Sequence, residues 1–179
     1  MKRLNQLFLG IVILANFAVL PVSQAADPDV KESAAKAKAM FDKAIALIEK
    51  EGIFKALYEF NTNKESYVDG SNHIMVVTED GVVFAYSIDP GLIGVNLSTV
   101  KSEEPESAIE YSFQDALADM EKAGDKVTEI KWKWMNPVTN EVQLKQAYVK
   151  RFNDPNTNFR VTFYVGAAYF VPLDEVKKQ

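Results

Sequence analysis

Few residues in this chain can do chemistry, and their inventory first says what is excluded. Among 179 residues there is no cysteine and one histidine, His73. Thiolate nucleophiles, disulfides, iron–sulfur clusters and cysteine zinc sites are therefore ruled out, and a Ser-His-Asp site or a multi-histidine metal site is disfavoured. Asp80, Asp89 and Glu110 show no pairing in sequence of the kind a carboxylate-dependent hydrolase needs. No EF-hand spacing occurs. Gly91, Gly94 and Asn96 belong to no phosphate loop, because no GK[ST] or GxGxxG pattern follows a strand. Glu103, Glu104 and Glu106 read as a solvated acidic face near a helix start. What remains is suited to holding a molecule rather than breaking one. Trp132 and Trp134 lie two apart, so both point to one face of a strand, where indole rings wall a pocket and N–H groups donate. Tyr86, Tyr148, Tyr164 and Tyr169 each carry a phenolic donor, and Lys145 and Arg151 are cations on one predicted strand. Each of these also has a plain reading, as core packing, a cross-strand pair or a solvated strand lysine. His73, at a strand start, is expected to be structural or at the surface. No catalytic residue, metal or cofactor is expected, and the chain is not expected to be an enzyme.

The elements that must position these groups are legible from periodicity. Lys2 and Arg3 precede an almost wholly apolar run, Leu7 to Val22, and the small residues Ser23-Gln24-Ala25 follow. That is a secretory signal, with cleavage expected after Ala25. The run is about 16 residues, short of the roughly 20 that span a bilayer, although an uncleaved inner-membrane anchor is the alternative. Residues 1–25 carry two basic and no acidic residues, so a net charge of −5 becomes −7 over the remaining 154. Neither value implies a nucleic-acid surface. A periplasmic protein without disulfides must draw its stability from its core.

Asp27 to about Lys50 is predicted as an amphipathic helix, with Asp27 and Asp29 at its start and Ala37, Phe41, Ala44, Ile45 and Ile48 on one face. Gly52 interrupts it, and a short helix follows with Ile53, Ala56, Leu57 and Phe60 as its stripe. The period then becomes that of strands: His73 to Thr78, the turn Glu79-Asp80-Gly81, and Val82 to Ser87. Glu106 to Gly124 is predicted as a helix ended by Gly124. Strands at Val127–Met135, Val142–Phe152 and Phe159–Phe170 complete the domain, the last expected to be the most buried. The residues 27–172 form this domain, with 173–179 as a tail or short helix. Tight turns between strand pairs imply a five-stranded antiparallel sheet. One helix covers each face, which is an α+β, PAS-like arrangement.

The order and spacing of several segments carry a resemblance. Ile48-Glu49-Lys50-Glu51-Gly52 runs into Lys55-Ala56-Leu57-Tyr58-Glu59-Phe60-Asn61. Asp80-Gly81 precedes Phe84-Ala85-Tyr86 and Ile93-Gly94-Val95-Asn96-Leu97. Trp132-Lys133-Trp134-Met135-Asn136-Pro137 precedes Lys145 and Tyr148-Val149, and Val165-Gly166-Ala167-Ala168-Tyr169 closes the set. Across nearly all of residues 30–170 the chain resembles the single Cache domain of type 2, the PAS-like extracytoplasmic sensor module of bacterial chemoreceptors and histidine kinases. The family commonly has a histidine where Tyr86 stands and an aromatic residue where His73 stands, so the resemblance implies the fold and leaves ligand identity open. It implies a small-molecule pocket between the sheet and the segment of roughly residues 88–124, and a small organic acid as ligand. Such an acid needs a cation or fixed donors in a partly dry cleft. The residues implied as ligand-binding are Tyr86, Trp132, Trp134, Lys145 and Tyr148. Tyr148 is three residues from Lys145, so an ideal strand places the two on opposite faces, and a bulge or strand end is needed for both to line one pocket.

The function so implied is that of a periplasmic sensor without its own output, acting in signal transduction or chemotaxis through a membrane histidine kinase or chemoreceptor. The alternative is a structural or dimerising module with no ligand, in which the alanine-rich helix pairs with a second copy.

Overall fold

The computed structural model describes residues 30–100, 112–153 and 161–173. The expected signal segment, the acids at positions 103–110 and the tail beyond Leu173 lie outside the described residues. Helix α1 (Val30–Glu51) buries Ser33, Ala37, Met40, Phe41, Ala44 and Ile48, the face that the apolar spacing predicts. Gly52 follows with φ of 82°, a left-handed conformation that ends the helix and that a side chain would oppose. Helix α2 (Ile53–Thr62) buries Ile53, Ala56, Leu57 and Phe60. A single turn, α3 (Lys64–Tyr67), leads into β1 (Val68–Asp69).

Strands β2 (Asn72–Thr78) and β3 (Val83–Tyr86) form the expected hairpin. Gly81 at its turn has φ of 87°, and its N–H donates to the Thr78 carbonyl at 2.9 Å. Two 3-10 turns, Pro90–Leu92 and Leu97–Thr99, shape the segment after β3. Helix α4 (Phe113–Ala123) begins at a capping box: Ser112 accepts from the Asp115 N–H while the Asp115 carboxylate accepts from the Ser112 N–H. It ends at Gly124, as its sequence position predicts. Strands β4 (Thr128–Met135), β5 (Val142–Asn153) and β6 (Thr162–Val171) follow.

The sheet is antiparallel, ordered β1-β2-β6-β5-β4, with β3 also paired to β2. Six strands stand where five were expected. The addition is β1, whose two residues are too few to show a period. Both β2 and β6 are buried along their whole length, because they occupy the middle of the sheet and both faces are covered.

Two apolar cores result. One lies between the sheet and α1 with α2, and takes Ile74, Val76, Leu144, Val165, Ala167 and Tyr169 from the strands. The other lies between the sheet and α4 with the segment after β3, and takes Met75, Val77, Tyr86, Ile130, Trp132, Ala147 and Ala168. Strand alternation thus sends even positions of β5 to α1 and odd positions to α4. Among the described residues no helix is long and apolar enough to cross a membrane.

Candidate ligand-binding site

The second core contains polar groups that an apolar core does not need. Lys145 is an odd position of β5, so its side chain enters the α4 face, where its exposure is 0%. Register sets Trp132 of β4 on one side of it and Phe170 of β6 on the other. The Lys145 Nζ lies 5.0 Å from the Trp132 ring centroid and 5.7 Å from that of Phe170. It lies 4.4 Å from the Tyr86 ring centroid and donates to the Tyr86 hydroxyl at 2.6 Å. An ammonium among ring faces gains cation–π attraction, but loses far more hydration than one hydrogen bond returns. Burial therefore holds the Lys145 amine well below its usual 10.5. Among the described residues no carboxylate forms an ion pair with it.

The neighbours share this dry setting. Burial pushes the Tyr86 phenol above its usual 10, a shift that the Trp134 indole opposes and Asp89 reinforces. Trp132, 1% exposed, has no partner for its Nε1 donor among the described residues. From α4, Phe113 packs edge-on against Trp132, with ring centroids 5.5 Å apart. Leu97, Phe113, Ala116 and Met120 close the cluster from the loop and helix side, while half-buried Trp134, Ile88, Leu92 and Val95 pack at its margin.

His73 also belongs here, contrary to the surface position offered by its place at a strand start. Its exposure is 0%, its ring centroid is 4.7 Å from that of Tyr86 and 6.2 Å from that of Phe170. Burial first, then the Lys145 charge, hold it well below its usual 6.5, against a hydrogen bond to Ser71 that favours the protonated ring. The signal that could have placed it is the unbroken run Ile74-Met75-Val76-Val77 behind it. A strand apolar on both faces is a central strand, and His73 shares the face of Met75 and Val77.

The fold thus brings Tyr86, Trp132, Trp134 and Lys145 together and sets Tyr148 apart. Tyr148 is an even position of an unbulged stretch of β5, so it points to α1. There it stacks on Tyr169, with centroids 6.1 Å apart, and meets Phe41 of α1 at 6.4 Å. Tyr169 shares that face and donates to Gln146 at 2.7 Å. Arg151 does lie on the Lys145 face, but six residues along a strand is about 20 Å, and it sits opposite Tyr164. Among the described residues no group of three or more His, Asp or Glu is placed to hold a metal ion.

The family model described as Single Cache domain 2 matches residues 29–169. Among solved structures, the chain is similar to a methyl-accepting chemotaxis protein from Vibrio parahaemolyticus RIMD 2210633, at 15% identity over 82% of this chain and 93% of that one, with a TM-score of 0.52. It is also similar to a Cache chemosensory domain solved for its carboxylic acid recognition, at 17% identity over 79% and 92% of the two chains, with a TM-score of 0.50. At such identities these two likenesses are of fold alone. No curated protein matches the chain.

Proposed function

The chain belongs to the Single Cache domain 2 family, and from that premise we propose that it is a periplasmic sensor that binds a small organic acid and signals through a membrane partner, a histidine kinase or a chemoreceptor. The observation that carries this reading is Lys145. A wholly buried amine with one hydrogen bond among the described residues and an apolar ring cage is costly by itself. An arriving carboxylate supplies the missing counter-charge in a low-dielectric site, where a charge-assisted hydrogen bond is strongest. The Trp132 Nε1 donor is available to the same anion. A Cache domain of similar fold is described as recognising carboxylic acids, which agrees with this choice of ligand.

Binding would draw α4 and the segment after β3 onto the sheet, shifting a population already present rather than building a new state. Thermal denaturation of the purified chain across acetate, propionate and longer acids tests the proposal. At a hundredfold excess over Kd a ligand adds about 2.7 kcal/mol, a rise of roughly 5–10 °C for a domain of this size. No rise with any organic acid removes the organic-acid reading. In that case, concentration-dependent dimerisation in light scattering would point to the interaction module instead.

A further inference from the structure

Two buried groups in the site have no partner among the described residues, and they ask for opposite things. Trp132 Nε1 is a donor by its chemistry and needs an acceptor. The other is Nε2 of His73. Its character follows from the opposite ring nitrogen: Nδ1 lies 2.7 Å from the Ser71 carbonyl oxygen, and a carbonyl only accepts. The hydrogen of a neutral imidazole is therefore on Nδ1, which leaves Nε2 a bare lone pair. The ring is kept neutral by full burial and by the Lys145 amine, which shares with it the Tyr86 and Phe170 rings as walls. The site thus offers donors from Lys145 and Trp132, and beside them an acceptor from His73.

We propose that the ligand is a small 2-hydroxy monocarboxylate, its carboxylate held by Lys145 and Trp132 and its hydroxyl donating to Nε2 of His73. This rests on the reading of the site as one for an organic acid, and adds a requirement that a plain acid does not meet. An unsubstituted acid leaves Nε2 dry and unpaired. A 2-oxo acid turns a carbonyl lone pair toward it. A 2-amino acid has a donor, but brings an ammonium beside the Lys145 amine. A buried acceptor left unsatisfied lowers affinity by about tenfold to a hundredfold. One cation, rather than two, suits one carboxylate. The closeness of the three rings to Nζ suits a short carbon body.

Calorimetric titration of the purified chain with lactate, propionate and pyruvate under one buffer is the test. Lactate is expected to bind at least about tenfold more tightly than either of the others. Propionate or pyruvate binding as tightly as lactate overturns the hydroxyl assignment and leaves the organic-acid reading standing. Binding by none of the three overturns the hydroxyl assignment, and the organic-acid reading falls with it only if the longer acids also give no thermal rise. His73→Phe is expected to remove the preference for lactate over propionate; an undiminished lactate preference overturns the proposal. A second measurement does not depend on the variant folding. With one histidine in the chain, its ring ¹⁵N signals are assigned without ambiguity. The Nε2 signal should move upfield with lactate and stay in place with propionate, and an Nε2 signal unmoved by saturating lactate overturns the assignment.

Discussion

At Lys145, stability and binding pull in opposite directions. Its amine has no exposed surface and, among the described residues, one hydrogen bond, to Tyr86. Lys145→Met keeps the stem and removes the amine, and replacing a poorly compensated buried charge by an apolar side chain of similar length is neutral or stabilising. The variant should therefore melt at or above the temperature of the parent, while the rise produced by organic acids disappears. A large fall in melting temperature without ligand would show the amine to be structural. His73 sets an acid limit. Its folded-state value is held well below 6.5 by burial, whereas the unfolded chain titrates near 6.5. Below that pH the unfolded chain takes up a proton that the folded chain refuses, so the contribution of His73 is complete above about 6.5 and falls as the pH drops beneath it, by up to about 1.4 kcal/mol per pH unit. Midpoints of urea melts between about pH 5 and 7 should fall more steeply toward acid in the parent than in His73→Phe, and equal slopes would mean that His73 is not held neutral. Such groups are only partly legible in sequence. The two-residue spacing placed Trp132 and Trp134 on one face, and the three-residue spacing warned that Tyr148 would part from Lys145. Whether His73 was structural or at the surface stayed open because burial near the start of a strand depends on which strands flank it, and no local pattern states that order.

At the scale of elements, the site is only as well formed as the helix that closes it. Helix α4 carries Phe113 onto Trp132, and its start is fixed by Ser112 and Asp115. The hydrogen bonds from Ser112 hold the Asp115 carboxyl below its usual 3.8, so this cap persists into mild acid. Ser112→Ala should cost about 1 kcal/mol and lower the melting temperature by roughly 2–4 °C. An unchanged midpoint would mean that packing alone holds this helix end. On the sheet, a Cβ at Gly166 would lie 2.9 Å from Val149 Cγ2 and 3.2 Å from the Tyr148 carbonyl oxygen. Gly166→Val overpacks the β5–β6 contact and should cost about 1–3 kcal/mol, read as a lower urea midpoint with an unchanged slope. The elements with many repeats of their period, α1, α2 and the long strands, were legible within a few residues, as was the end of α4; its start, expected at Glu106, stands at Phe113, where Ser112 caps it. The one-turn α3 and the two-residue β1 were not, since neither is long enough to complete a period. The pairing of β2 with β6 was also hidden, because it joins residues about a hundred positions apart through register alone.

For the whole molecule, the question is how the α4 face of the sheet communicates with α1 on the other. The two are joined at one place by adjacent residues of β2. His73 faces the site, and Asn72, next in the chain, faces α1. Asn72 accepts from the Ser33 hydroxyl at 3.0 Å and donates through Nδ2 to the Ser33 carbonyl at 3.0 Å, both bonds buried. A reciprocal pair of this kind fixes the first turns of α1 to the strand more firmly than apolar contact does, because loss of either partner strands a buried polar group. A ligand that orders His73 therefore stiffens the Asn72 backbone, and through it the start of α1 on the opposite face of the sheet. Amide exchange in the first turns of α1 should slow when a saturating organic acid is bound. In Asn72→Ala, which should lower stability by about 1–3 kcal/mol, the acid should still raise the melting temperature, since the Lys145 cluster is intact. The protection of α1 should then be lost. If α1 is protected equally in the parent and in Asn72→Ala, the signal crosses the sheet by another route, with the Ala167–Ala168 step of β6 the nearest alternative, since Ala168 lines the site and Ala167 packs in the α1 core.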